Sequence, residues 1–182
     1  MDLLLVFVFI CIAWFPILAV SILIPLTSKG PILYWSRRVG KDGVIFLMPK
    51  FRSMHVEAPV VATDLLDQPA KWLTPIGSFL RKSSLDETPQ LWSILKGDMS
   101  FVGPRPALFN QAELIRMRDL MGINTLLPGL TGWAQVNGRD DISLENKLQF
   151  DAQYLQRQCF WLDLYIIWLT FMKVVRRDGV SH

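Results

Sequence analysis

Apolar and polar positions divide this chain into unlike stretches. From Leu3 to Leu26 it reads LLLVFVFICIAWFPILAVSILIPL without a charge. At ~1.5 Å per helical residue that run can cross a hydrocarbon core of ~30 Å. Pro31 to Met54 holds two β-prone runs around Gly40-Lys-Asp-Gly43, which predicts a β-hairpin. Glu57 to Gln68 is polar and without period, as expected of a loop. Helical spacing returns at Ile76 to Lys82, Leu85 to Lys96 and Asn110 to Met121. Between the last two, Gly97, Gly103, Pro104 and Pro106 oppose regular structure and hold Arg105 in a stiff loop. Gly129, Gly132 and Gly138 lie in a glycine-rich stretch without a nucleotide-loop spacing and are read as turn residues.

The long apolar run contains Pro16, which removes a helical bond to the Ile12 carbonyl and predicts a kink or reversal. Both a single span and a re-entrant helix follow from that pattern. A cleaved signal peptide fits less well, because no basic residue precedes the run. Lys29, Arg37, Arg38, Lys41, Lys50 and Arg52 all follow it, so the positive-inside rule puts the bulk of the chain in the cytoplasm. Near the other end FWLDLYIIWLTFM, Phe160 to Met172, is too short to span and carries Asp163. With Trp161, Tyr165 and Trp168, and Lys173, Arg176 and Arg177 behind it, the segment suits an interfacial helix.

These elements predict an α+β fold, mainly helical: a membrane-inserted helix over 1–26 and one cytoplasmic domain over 27–182, ending in the interfacial helix at about 160–172. Composition agrees, since 182 residues hold one ordinary domain and 51% are apolar against 19% charged. A net charge of +3 suits a phosphorylated ligand or anionic lipid, and no nucleic-acid-binding motif accompanies it. Two cysteines, Cys11 and Cys159, and two histidines exclude a disulfide framework and a histidine-based metal cluster.

Candidate chemistry centres on SSLDETPQLW. Ser84 and Glu87 have capping-box spacing, which would make the acids structural. Asp86 and Glu87 are adjacent, about 100° apart on a helix, so they cannot straddle a glycosidic bond but can share a metal ion. With Arg81 before them and Arg105 beyond, they form a group suited to a phosphorylated substrate.

Taken in order, KGPILYWSRRVG, KFRSM, SLDETPQLW, KGDMSFVGPRP, PGLTGWAQVNGR and the FDAQYL to FWLDLYII tail resemble the bacterial sugar transferase family, the monotopic phosphoglycosyl transferases, in their small catalytic form. The resemblance implies transfer of sugar 1-phosphate from a UDP-sugar to undecaprenyl phosphate at the cytoplasmic face of the bacterial inner membrane. It implies Asp86 as nucleophile, Glu87 beside it, Mg²⁺ at the pair, and a re-entrant N-terminal helix broken at Pro16. Lys50, Arg52, Arg139 and Asp151 lie in family motifs and are expected to bind donor phosphates or brace the site, with Arg81 and Arg105 as the first phosphate clamps. Two positions depart from the pattern: Met1-Asp2 where basic residues are usual, and Phe15 where a small residue often precedes the proline. The competing expectation is a membrane-anchored scaffold that retains the fold without catalysis.

Overall fold

The computed structural model describes residues 1–61, 66, 68–138 and 142–176. Helix α1, Asp2–Thr27, passes through Pro16 and Pro25 as one element, so the break expected at Pro16 is not a gap in the helix. It is long and apolar enough to cross a membrane by length and composition. A single stripe, Val6, Ala13, Val20 and Ile24, is buried, while Leu4, Phe7, Ile12, Trp14, Phe15 and Leu26 are among many apolar side chains left exposed. Val6 joins the main core and Val20 with Ile24 a second cluster around Phe51 and Leu80, so one face of α1 lies along the rest of the protein.

The hairpin forms as the pattern predicts. Strands β1, Leu33–Val39, and β2, Ile45–Phe51, pair antiparallel with Arg38 opposite Phe46 and Tyr34 opposite Lys50. Alternation sets Phe46, Met48 and Lys50 on one face of β2. Asp42 and Gly43 take positive φ in the connecting turn. Helix α2, Gly77–Lys82, then packs where β2 ends, and a Cβ at Gly77 would meet the Ser53 carbonyl oxygen at 2.0 Å. After it come a 3-10 turn, Leu85–Gln90, and helix α3, Leu91–Leu95.

The stretch expected to resist regular structure is partly ordered as strand. Strands β3, Ser100–Val102, and β4, Ala107–Leu108, flank a loop that holds Arg105. β4 joins the hairpin in the order β2-β1-β4, and β3 pairs in parallel with β5, Gly129–Thr131. Gly103 and Gly129 serve this pairing instead of a turn, because a Cβ at Gly129 would lie 2.1 Å from the Gly103 nitrogen. Helices α4, Ala112–Leu120, α5, Trp133–Gly138, α6, Leu144–Arg157, and α7, Phe160–Arg176, complete the layer. Tyr154 on α6 donates to Asp163 on α7 at 2.7 Å, which fixes the roll of α7. Ile166 is then buried, while Trp161, Tyr165, Trp168 and Phe171 remain exposed.

Candidate active site

Asp86 and Glu87 sit in the first turn of the 3-10 segment. The capping box does not form: Ser84 has a left-handed backbone, φ 55°, and its side chain makes no cap bond. The left-handed residue instead turns the chain sharply out of α2, leaving Glu87 free to reach across to the hairpin. Its Oε1 accepts from Lys50 Nζ at 2.8 Å and from Arg105 Nη2 at 2.8 Å. Lys50 arrives on the inward face of β2, and Arg105 from the loop between β3 and β4.

The two acids have opposite electrostatics. Burial alone would raise the Glu87 carboxyl, but Arg105 and Lys50, by charge and by hydrogen bond, overcome it and hold the group far below the usual carboxylate range. Asp86 is 8% exposed and accepts no hydrogen bond among the described residues. Burial, and then the adjacent Glu87 charge, push its carboxyl up to about 6, against Lys50, Arg81 and Arg105. One carboxylate is a fixed anion, and the other is a desolvated base.

Arg81, at the end of α2, donates to Ser53 Oγ at 3.2 Å and lies close enough to Asp86 to lower its proton affinity. Arg38 is a member of the group not singled out from the sequence. It donates to the Pro106 carbonyl at 3.0 Å and to Ser36 Oγ at 3.0 Å, and its ordinary value falls to about 10 through burial and then through Arg105. The hairpin alternation that aligns Ser36, Arg38 and Lys50 was the available signal. Four cationic side chains therefore face two carboxylates, and the surplus suits a diphosphate.

Arg52 and Asp151 stand outside that group. Arg52 is buried, with its guanidinium on the Lys29 carbonyl and on the Ser28 carbonyl at 2.8 Å, so it binds the end of α1 to β2. Asp151 on α6 accepts from Arg118 on α4 at 2.7 Å and 3.1 Å, and Arg118 Nη1 donates to the Arg105 carbonyl at 2.8 Å. This pair reaches the site through the backbone of Arg105. Arg118 also went unrecognised in the sequence, although a lone charge on the Leu114 side of an amphipathic helix marks it. Arg139 lies outside the described residues.

A divalent cation of the magnesium type could be taken by Asp86 and by Glu87 Oε2, which accepts no hydrogen bond among the described residues. Among the described residues no group of three or more metal-ligating side chains forms. Magnesium would keep several waters and take one or two carboxylates plus phosphates.

A bacterial sugar transferase family model matches residues 1–177. The chain is 39% identical over 180 residues to a UDP-galactose-lipid carrier transferase of Erwinia amylovora, covering 90% of this chain and 37% of that protein. It is 40% identical over 172 residues to a UDP-glucose:undecaprenyl-phosphate glucose-1-phosphate transferase of Xanthomonas campestris pv. campestris, covering 89% of this chain and 35% of that one. Against exopolysaccharide production protein ExoY of Rhizobium meliloti, identity is 34% over 177 residues, 89% of this chain and 78% of the relative. The chain thus spans about a third of the length of the first two relatives. With the match running from α1 through the dyad to α7, the chain belongs to the bacterial sugar transferase family.

Proposed function

We propose that this protein transfers sugar 1-phosphate from a UDP-sugar to undecaprenyl phosphate through a covalent Asp86 phosphosugar, the first step in building a glycoconjugate. The observation that carries this reading is the division within one turn: Glu87 is held ionised by Lys50 and Arg105, while buried Asp86 accepts no hydrogen bond among the described residues. A scaffold would have no use for that asymmetry. The relatives named for undecaprenyl-phosphate sugar transfer support the substrate classes.

In the first half-reaction an Asp86 oxygen attacks the sugar-bearing phosphorus; the bond to UMP breaks, and UMP leaves with the electron pair. In the second, a phosphate oxygen of the acceptor attacks the same phosphorus, and the aspartyl–phosphorus bond breaks to return the carboxylate. An anion attacking a diphosphate needs positive charge at the phosphoryl oxygens. Arg81, Arg105, Lys50 and Arg38 supply it. Magnesium held by Asp86 and Glu87 would add charge neutralisation at the diphosphate.

The acceptor is a lipid, so the site works at a membrane surface. The exposed apolar faces of α1 and the exposed aromatic residues of α7 are read as the lipid-contacting surfaces. On this reading α1 enters and leaves on one side, with the rest of the protein in the cytoplasm; the packing of Val6 and Ile24 against that protein supports it.

The test is UMP release from UDP-sugars without acceptor, with label from the sugar phosphate retained on the protein. Asp86→Asn should abolish both, and chelation should depress both in the wild type. Persistence of either in the Asn variant would reject Asp86 as nucleophile.

A further inference from the structure

A cavity of about 380 Å³ opens between α1, the base of the hairpin and the turn that carries the dyad. Ile17 and Ser21 line it from α1, Leu33 from β1 and Phe51 from the end of β2. Thr88 and Pro89, the two residues after Glu87, form the wall nearest the chemistry. The volume lies at the small-molecule end of ligand sites, roughly 300–1,000 Å³.

Its polar lining groups are already spent. Ser21 Oγ donates to the Ile17 carbonyl at 2.8 Å, and Thr88 Oγ1 to the Leu85 carbonyl at 2.9 Å. A uridine, a sugar or a diphosphate would lose its hydration there with nothing in return. An aliphatic chain loses nothing. Arg52 keeps the cavity in shape by holding Ser28 and Lys29 beside β2, the strand that ends at Phe51.

We infer that this cavity takes the first isoprene units of a polyprenyl phosphate, delivering its phosphate to Asp86 while the rest of the chain runs out along α1. The inference rests on the transfer reaction proposed above and assigns its acceptor a site. Two observations select this occupant. The cavity abuts the dyad turn on one side and, on the other, α1, whose remaining faces are apolar and exposed. Lys50, Arg105 and Glu87 are not among the residues that line the cavity, which leaves the donor a separate polar approach.

The test uses the full chain in lipid nanodiscs and a polyprenyl phosphate carrying a diazirine on its first isoprene unit, without UDP-sugar. Labelling should fall on peptides containing Ile17 and Ser21 or Ile32 and Leu33; label confined to α7 would overturn the assignment. Filling the cavity by Ser21→Phe should erode the preference for undecaprenyl phosphate over a short prenyl phosphate roughly tenfold or more. An unchanged preference in a folded variant would also overturn it. Labelling of the cavity without UMP release from any UDP-sugar would reject the transfer reaction and support the lipid site.

Discussion

Arg118 holds the backbone of Arg105: its Nη1 donates to the Arg105 carbonyl at 2.8 Å while its other nitrogens grip buried Asp151. The guanidinium that meets Glu87 is thus positioned by a buried ion pair one layer away. Asp151→Asn leaves Arg118 buried without its counter-charge and should cost about 3–5 kcal/mol of stability. Replacing both partners by leucine should recover most of that loss, since a buried pair is often matched by apolar packing. Turnover should nonetheless fall in the double variant, because there the Arg105 carbonyl has lost its donor. Thermal melts and kcat measured on the same preparations separate the two effects.

Asp86 pulls stability and activity in opposite directions. Its folded value of about 6 lies above the ordinary 3.8, so its contribution to stability is full below the unfolded value and is lost as pH rises through about 6. Asp86→Asn should therefore be inactive yet more stable than the wild type at pH 7, by at most roughly 3 kcal/mol. The advantage should vanish below about pH 4. Denaturant melts across that range, in metal-free buffer, decide it.

Removing the neighbouring charge should move the same titration. In Glu87→Gln the like charge on Asp86 is gone, and Lys50 and Arg105 no longer face a fixed anion, so the Asp86 midpoint should fall from about 6 towards 3.8. Activity should nonetheless drop about 10–100-fold, since Glu87 orders both cations and, in the proposed reaction, would share the metal. Carboxyl NMR of the metal-free protein reads the midpoint. A midpoint that stays put would show that burial alone sets it.

Arg52→Met should loosen α1 without touching the dyad. The substitution strands the Ser28 and Lys29 carbonyls and should cost about 1–3 kcal/mol. Limited proteolysis should then cut near residues 28–30, while the Asp86 titration keeps its midpoint.

Elements defined by short-range pattern are legible in the sequence. The hairpin around Gly40 to Gly43, the helices at Gly77–Lys82 and Ala112–Leu120, and the aromatic helix from Phe160 all lie close to their expected positions. The SLDET segment also announced itself as candidate chemistry, although its spacing equally suggested a cap. Ser84 in left-handed backbone removes the cap, and no local rule favours a non-glycine residue in that conformation.

What the sequence determined by itself was the uniformly apolar N-terminal helix, the strand and helix periods, and the family whose order of motifs this chain follows. Each depends on neighbours a few residues apart. Tertiary structure alone decided that Lys50, 37 residues away, and Arg105, 18 residues away, converge on one oxygen of Glu87, that Arg52 braces α1, and that Arg38 and Arg118 belong to the site's support. A charged side chain carries no local mark of its partner. Which charges meet depends on strand register and on the cost of leaving any of them buried alone.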